Sequence, residues 1–461
     1  MTRQVISPPE RPQERVNAER EMPGSHKGIV SLLGIVGVLL LLFIGLVIHN
    51  LPQAVQPQRA SASAAHGSQS QVDAQDTPSS LQSPGSSFTA PLQLPSGRDL
   101  LYEQGNNIYL VSATGGTPQL LSTPGYVYNR AVPPIITPDG QLLYSGDGIW
   151  MTAIFDGTPK QIASLFPNQV ITSMVLSSDG TTIAWSTEPA DGNGSIAIYA
   201  GPLSGASLAY LQSSTDCPCF RIFSFLNGPG EKGDTTLMLT DDRGDHHEVQ
   251  YGLWTLDLTK VPEGGPQLLL DEDPQQGPLE LAPSANTLLY SSYEGIVPSP
   301  NDGSVPPDVD ALTYANSLDM TTINEKPLSL GSSHVILPEQ HSLSNSAEYH
   351  WVTTPLFSLD GHTLVYIVFS NDADAPFTRH SAIYSVQISG SGSQLAPSRP
   401  ELLATSTSQY VELGAWFDDH TLTFYADNTL YAIDLHTGAT ATIMQTKAYA
   451  HIVAVVAHSS Q

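Results

Sequence analysis

A short pattern recurs seven times between residues 96 and 458. A strand rich in Leu, Ile, Tyr and Trp leads through a turn or loop into a second strand carrying an aromatic in a fixed column. The seven places are Ile108-Tyr109, Ile149-Trp150, Ile198-Tyr199, Leu253-Trp254, Thr313-Tyr314, Ile383-Tyr384 and Leu430-Tyr431. Before the first of these strands the chain turns on Asp139-Gly140, Asp179-Gly180 and Asp360-Gly361, and more loosely on Ser284-Ala285-Asn286 and Asp418-Asp419. Asp-Gly supplies the positive φ that a tight hairpin requires. The apolar runs that follow, such as "LVYIVF", read as strands buried on both faces. After the aromatic strand come a turn and a Pro-containing edge strand, as in "GGTPQLL", "DGTPKQI" and "GGPQLLL". Proline is tolerable there because an outer strand leaves amides unpaired.

Four strands repeated every 40 to 75 residues or so is the pattern of a propeller blade. The fold class is therefore all-β, a seven-bladed β-propeller over residues 96–461, or six-bladed if the fourth or fifth repeat is an insertion. The first repeat begins directly at its second strand, "DLLYEQG", and the chain ends with an orphan run, "HIVAVVAH". That run is expected to complete blade 1, since closing the ring removes two exposed sheet edges. The repeats resemble the TolB-like and WD40-like (PD40-type) propeller family, whose blades carry Ser-Pro-Asp-Gly before the second strand. Thr137-Pro138-Asp139-Gly140 and Ser177-Ser178-Asp179-Gly180 are the best copies, whereas the fourth repeat lacks the signature.

Ahead of the repeats lies "GIVSLLGIVGVLLLLFIGLVI", Gly28 to Ile48, 21 residues without a charge. At about 1.5 Å per residue it matches the ~30 Å hydrocarbon core of a bilayer. Five Lys or Arg precede it and only Arg59 falls in the next twenty residues. The positive-inside bias places residues 1–27 in the cytoplasm and the rest outside, as a single-pass signal-anchor protein of the cell membrane. A cleaved signal peptide would have a shorter apolar run and a nearer cleavage site. Residues 49–95, rich in Pro, Ser, Gln and Ala, offer little to bury and read as a disordered stalk.

Residues 1–27 hold five basic and four acidic side chains, so the remainder carries 12 basic and 40 acidic ones. A body this acidic repels phosphate backbones, which argues against nucleic acid as a partner. The insertions between second and third strands fall in repeats 3 to 6, all on one face: "TEPADGNGS", "DDRGDHHEVQY", "SYEGIVPSPNDGSVPPDVDA" and "SNDADAPFTRHS". They form an acidic crest holding Asp241, Asp242, Asp245, His246, His247, Glu248, Asp308, Asp310, Asp372 and Asp374, with only Arg243 and Arg379 opposed. Crowded carboxylates repel one another by about 1 kcal/mol per pair at 4 Å in water. Such a crest would shed that repulsion by binding calcium or a cationic protein or cell-surface ligand. Neither "DDRGDHHE" nor "NDADAP" has a complete metal-ligand spacing, and no cofactor motif is present.

The two cysteines, Cys217 and Cys219 in "DCPCF", admit a local disulfide, free thiols or half of a redox or metal site; outside the membrane the disulfide is favoured. Asn193-Gly194-Ser195 is the only glycosylation sequon beyond the membrane segment, in keeping with a bacterial chain. No Gly-x-Ser-x-Gly string occurs, so a serine-peptidase domain of the prolyl oligopeptidase kind is excluded. The leading expectation is a non-catalytic extracytoplasmic binding or scaffold module. The alternatives are a hydrolase or lyase acting on polysaccharide or peptide through a carboxylate pair or His/Tyr cluster at the axis, and a ligand-sensing subunit of a membrane signalling complex.

Overall fold

The computed structural model describes residues 92–457 apart from 156, 192–194, 206–207, 215–218, 227–234, 242–250, 262–263, 272–275, 285, 293–316, 326–327, 339–347, 373–374, 391–394 and 409. The tail, the Gly28–Ile48 segment and residues 49–91 of the stalk lie outside these residues, whereas Leu92 and Leu94, assigned to the stalk from the sequence, pack on the core between blades 7 and 1. Every regular element described is a strand, and no described helix is long and apolar enough to cross a membrane.

The strands make seven antiparallel sheets, each one blade. Blade 2 runs from its inner to its outer strand as Ile135–Ile136, Gln141–Ser145, Gly148–Ala153 and Lys160–Ser164. Blades 3, 4, 5 and 7 repeat this order from inner strands Gln169–Leu176, Phe220–Phe225, Gln276–Leu281 and Val411–Trp416. Blade 6 begins at Glu348–Phe357 and carries two outer segments, Ala396–Pro397 and Glu401–Ser406, on one long third strand. Blade 1 takes its second, third and outer strands from Arg98–Gln104, Asn107–Ser112 and Gln119–Leu120, and its inner strand from His451–Ala457. The orphan run thus closes the ring, and the number of blades is seven.

A four-stranded sheet cannot bury both faces alone. The chain answers with seven apolar clusters, one at each junction between neighbouring blades. At the closing junction Leu100, Tyr102, Ala450 and Ile452 of blade 1 pack on Phe417, Tyr425, Leu430 and Ala432 of blade 7. The aromatic column explains itself in cross-strand pairs. Tyr102–Tyr109, Tyr144–Trp150, Trp185–Tyr199, Tyr366–Tyr384 and Phe424–Tyr431 stand opposite in register and stack nearly parallel, 5.1–6.5 Å between centroids. Such pairs stabilise a sheet beyond their buried area.

Blade 5 departs from the column expected at Tyr314. Its third strand is Ser317–Glu325, Tyr290 faces Asp319 across the ladder, and Tyr314 lies outside the described residues. In blade 4 Trp254 faces Leu239 and meets Phe220 of the inner strand edge-on instead.

The Asp-Gly turns are built alike. In blade 3 the Ser177 hydroxyl donates to Asp179 Oδ1 at 2.7 Å and accepts the N–H of Thr182 at 2.9 Å, while Gly180, at φ +71°, donates its N–H to the Ser177 carbonyl. Ser358-Asp360-Gly361 repeats the geometry, with Gly361 at φ +72°. A Cβ at position 180 would stand 2.6 Å from Pro138 in the turn of blade 2. This glycine therefore serves both the turn and the approach of two blades. The Ser177 hydroxyl and the Thr181 amide hold the Asp179 carboxyl below its usual range.

One stretch read as an insertion proves to be largely strand. In blade 6 the second and third strands, Thr363–Asp372 and Ala375–Ser389, run through "SNDADAPFTRHS" as a long hairpin in which Asp372 pairs with Ala375.

Candidate functional site

Inner strands surround the axis of a propeller. Because each sheet is antiparallel, the start of an inner strand and the end of the second strand lie at one end of that axis. Four charged side chains gather at this end where blades 7, 1 and 2 meet. His451 opens the inner strand of blade 1, and Glu103 is the penultimate residue of its second strand. Glu412 is the second residue of the inner strand of blade 7, and Arg130 precedes the inner strand of blade 2.

The chain reaches this point by crossing from the outer strand of blade 7, Thr440–Gln445, to the inner strand of blade 1. Tyr449 docks the crossing segment. Its ring lies edge-on to Tyr410 and Tyr425, at 5.0 and 5.2 Å, and its hydroxyl donates to Glu412 Oε2. Two residues later His451 Nδ1 meets Glu412 Oε1 at 3.0 Å. The Arg130 guanidinium lies 3.9 Å from the same oxygen and 6.0 Å from the centroid of the Tyr410 ring. Tyr128 hydrogen-bonds Tyr449.

Burial alone would raise the Glu412 carboxyl, but the hydrogen bond and charge of His451, with Arg130 and Tyr449 behind them, hold it below its ordinary value. Burial would likewise lower the His451 imidazole, and Glu412 and Glu103 raise it instead. Each partner thus favours the charged form of the other, the Glu412 carboxylate and the His451 imidazolium.

Glu103 is the odd member. It stands directly opposite His451 in the ladder, is 1% exposed, and neither carboxyl oxygen has a hydrogen-bond partner among the described residues. His451 Nε2 is 4.0 Å from Oε2, beyond hydrogen-bond reach. Burial pushes the Glu103 carboxyl up to about 7; the Glu412 charge adds to this and His451 opposes it. The site thus joins a tightly held ion pair to a second carboxyl that gains and loses its proton near neutrality. Such a group accepts a donor or exchanges a proton.

Arg221, on the inner strand of blade 4, is buried and donates through Nε to the Thr172 carbonyl at 2.9 Å and through Nη2 to the Ala131 carbonyl at 3.0 Å. It stitches blades 2, 3 and 4 together. Glu280, on the inner strand of blade 5, takes the N–H of Phe357 and is pushed by burial up to about 8. It lies toward the opposite end of the axis, near the end of its inner strand.

Of the acidic crest, Asp242, Asp245, His246, His247, Glu248, Asp308, Asp310 and Asp374 lie outside the described residues. Asp372 closes the second strand of blade 6. Asp241 ends the second strand of blade 4 with no exposed surface, and its Oδ1 accepts the N–H of Cys219 at 2.6 Å. It belongs to the wall of the blade and not to an exposed crest. Cys219 is disulfide-bonded, and the only other cysteine in the chain, Cys217, lies outside the described residues. Among the described residues no group of three or more His, Cys, Asp or Glu could hold a metal ion.

The axial cluster was not singled out from the sequence, yet it left a trace there. In the second strands the residue after Tyr144, Trp185, Leu239 and Tyr290 of blades 2 to 5 is Ser145, Ser186, Thr240 and Ser291, and the residue after Tyr102 of blade 1 is Glu103. A carboxylate in a column of hydroxyls, and charges inside the apolar runs "YVELGAW" and "AHIVAVV", are the signal.

No model of a known family matches the sequence, and no curated protein matches it. Solved structures of similar shape include a periplasmic gluconolactonase of Pseudomonas aeruginosa, 12% identical, covering 77% of this chain and 99% of that one at a TM-score of 0.45. A structure designated TolB from Agrobacterium tumefaciens is 14% identical over 68% of this chain and 90% of that one, at 0.35. An oligogalacturonate lyase of Vibrio parahaemolyticus is 10% identical over 76% and 80%, at 0.35. By their names two of these neighbours are enzymes, and at such identities and TM-scores the likeness says nothing of activity or ligand.

Proposed function

We propose that the chain is a membrane-anchored, extracytoplasmic β-propeller that works as a non-catalytic binding module, with its ligand taken at the axial mouth where blades 7, 1 and 2 meet. The observation that carries this reading is the pair of buried Glu103 oxygens without a hydrogen-bond partner among the described residues. A buried acceptor left unmade costs on the order of 1–3 kcal/mol, which a ligand donor recovers. Anchoring by Gly28–Ile48 and a stalk over residues 49–95 would hold that mouth away from the bilayer.

The acidic loops of blades 3 to 6 would act as a field that concentrates cationic partners, with calcium as a competing occupant. A catalytic reading is favoured by one observation, a carboxyl titrating near neutrality beside a histidine whose charged form is favoured. Against it stands the sequence, which carries no recognisable catalytic motif.

The test compares cross-linked partners of the full-length protein in its own membranes with those of two variants. Glu103→Ser alters the mouth and Asp242→Asn/Asp245→Asn/Glu248→Gln alters the crest. A ligand lost from the mouth variant and kept by the crest variant supports the reading. One lost only from the crest variant moves the site to the loops.

A further inference from the structure

We infer that the mouth end of the ring-closing strand is a pH-sensitive latch. In mildly acidic solution it seals the joint of blades 7, 1 and 2; in mildly alkaline solution it lifts away from Glu103 while the other blades stay closed. The latch follows from the geometry of the joint and does not depend on a ligand being taken there.

Three features of the joint point to it. The first is connection. In blades 2 to 7 the inner strand is followed in the chain by the second strand of the same sheet, whereas His451–Ala457 comes from the far end of the repeats. It pairs with Arg98–Gln104 with no hairpin between them, so its release unravels no turn. The second is a break in that ladder. The register shifts between Leu101 and Tyr102, which leaves Val453 as the extra residue. The pairs Tyr102–Ile452 and Glu103–His451 at the mouth are thereby set apart from the run Arg98–Ala457 to Leu101–Ala454. A bulge of this kind is where a strand bends or stops pairing. The third is that the groups holding the mouth end titrate. Tyr449 and His451 both bind Glu412, and His451 faces Glu103. Glu103 is sealed, and no described residue gives its oxygens a hydrogen bond that would stabilise the charged form.

The charged and titratable groups around Glu103 come from every neighbouring element. They are His451 of the inner strand, Glu412 from blade 7, Tyr449 from the crossing segment, and Tyr128 and Arg130 from the segment ahead of blade 2. Ile108, across the ladder on the other side, does not titrate. His451 and Arg130 balance the two carboxyls only while the histidine keeps its proton. With both Glu103 and His451 protonated, the cluster holds His451 and Arg130 as cations against the Glu412 anion. Once both protons have left, Arg130 alone faces two carboxylates. Burial pushes the Glu103 carboxyl up to about 7. Burial alone would lower the His451 imidazole, but Glu412 and Glu103 raise it. Both groups are therefore raised, and both contributions are present at low pH and lost as pH rises through the folded values. Glu412 is lowered and stays ionised through this window. Lifting the mouth end as far as the bulge returns Glu103 and His451 to water.

Hydrogen–deuterium exchange of the full-length protein at pH 5 and pH 8 tests the latch, each rate being divided by that of an unstructured chain at the same pH. Protection of residues 449–453 should fall at least about tenfold between the two, while that of Thr421–Ala426 in blade 7 changes less than about twofold. Glu103→Gln keeps the shape and removes the titration, so it should cut the fall to at most about half on a logarithmic scale. Glu103→Ser should do the same. Blades 2, 3 and 5 carry serine at this place in the second strand, so one variant keeps the test alive if the other fails to fold. Equal protection at both pH values overturns the latch. So does a fall shared by Thr421–Ala426, which marks a general loosening of the ring, and so does an undiminished fall in the folded variants.

Discussion

Glu103 and His451 stand directly opposite one another in the ladder that closes the ring, with Oε2 and Nε2 4.0 Å apart. One belongs to the first strand of the propeller and the other to its last. The joint that makes the ring continuous therefore also makes the polar cluster, and anything that titrates the cluster acts on closure.

The first prediction concerns pH. Glu103 titrates at about 7 in the folded chain against an ordinary value of 4.5. Its contribution to stability is full below about 4.5 and is lost as pH rises through about 7. His451 is also raised, so its share is lost as pH climbs through its folded value. Glu412 is lowered, and its share is lost only as pH falls through that depressed value. The joint is accordingly most stable in mildly acidic solution and weakens toward pH 8. The melting temperature of Glu103→Gln should fall less between pH 5 and pH 8 than that of the parent. Parallel curves for the two proteins would remove Glu103 from the linkage.

The second prediction concerns closure itself. Removing residues 450–461 takes away the inner strand of blade 1 together with Ala450 and Ile452, which pack on blade 7. The Glu412 carboxylate then loses His451 and is left buried. Loss of one partner of a buried ion pair costs about 3–5 kcal/mol, and a newly exposed sheet edge adds to it. Chemical denaturation should turn from one cooperative transition into a broad or multistep one. A truncated protein that unfolds at the parent midpoint would mean that the terminal strand is dispensable.

The third prediction isolates a turn. The Ser177 hydroxyl is buried and links Asp179 to the N–H of Thr182. Ser177→Ala should cost about 1–2 kcal/mol through those two bonds. Gly180→Ala should cost more, because φ +71° is strained for alanine and its Cβ would press on Pro138. Denaturant midpoints of the two variants check the order, and an equal or reversed cost would show that the approach of blades 2 and 3 is slack at this point.

The blade architecture was legible because it is written in period and turn chemistry. Asp139-Gly140, Asp179-Gly180 and Asp360-Gly361 mark hairpins, the orphan "HIVAVVAH" announces closure, and both follow from local rules. Tyr314 misled because an aromatic next to an apolar residue is common, and the register that excludes it is set by Tyr290 facing Asp319. The hairpin end at Asp372 was read as loop because a charged stretch of sequence looks the same on a two-stranded ribbon as in a loop. Asp241 was grouped with its acidic neighbours because sequence adjacency says nothing about which way a strand end faces. The mouth was missed for a different reason. Glu103, Glu412 and His451 are separated by some three hundred residues or by a blade, and only ring closure brings them together. A column comparison of the blades exposes Glu103 among hydroxyls, but its partners require the topology.

The last prediction concerns orientation, and it follows from charge and length. Five Lys or Arg lie before Gly28–Ile48 and one in the twenty residues after it. With this bias the short basic segment is expected to stay in the cytoplasm and the acidic body to be carried across. Residues 49–91, rich in Pro, Ser and Gln, have the composition expected of a segment that a protease cuts. Each blade, by contrast, has its strands in sheets and its faces packed on neighbours. Protease added to intact cells should release a fragment that begins within residues 49–95 and contains the whole propeller, leaving a membrane-bound remnant that carries the N-terminus. Epitopes placed after residue 2 and at the C-terminus report the two products. A C-terminal epitope protected in intact cells and cut only after lysis would reverse the orientation. The mouth formed by Glu103, Glu412 and His451 would then face the cytoplasm, and its ligand would have to be sought there.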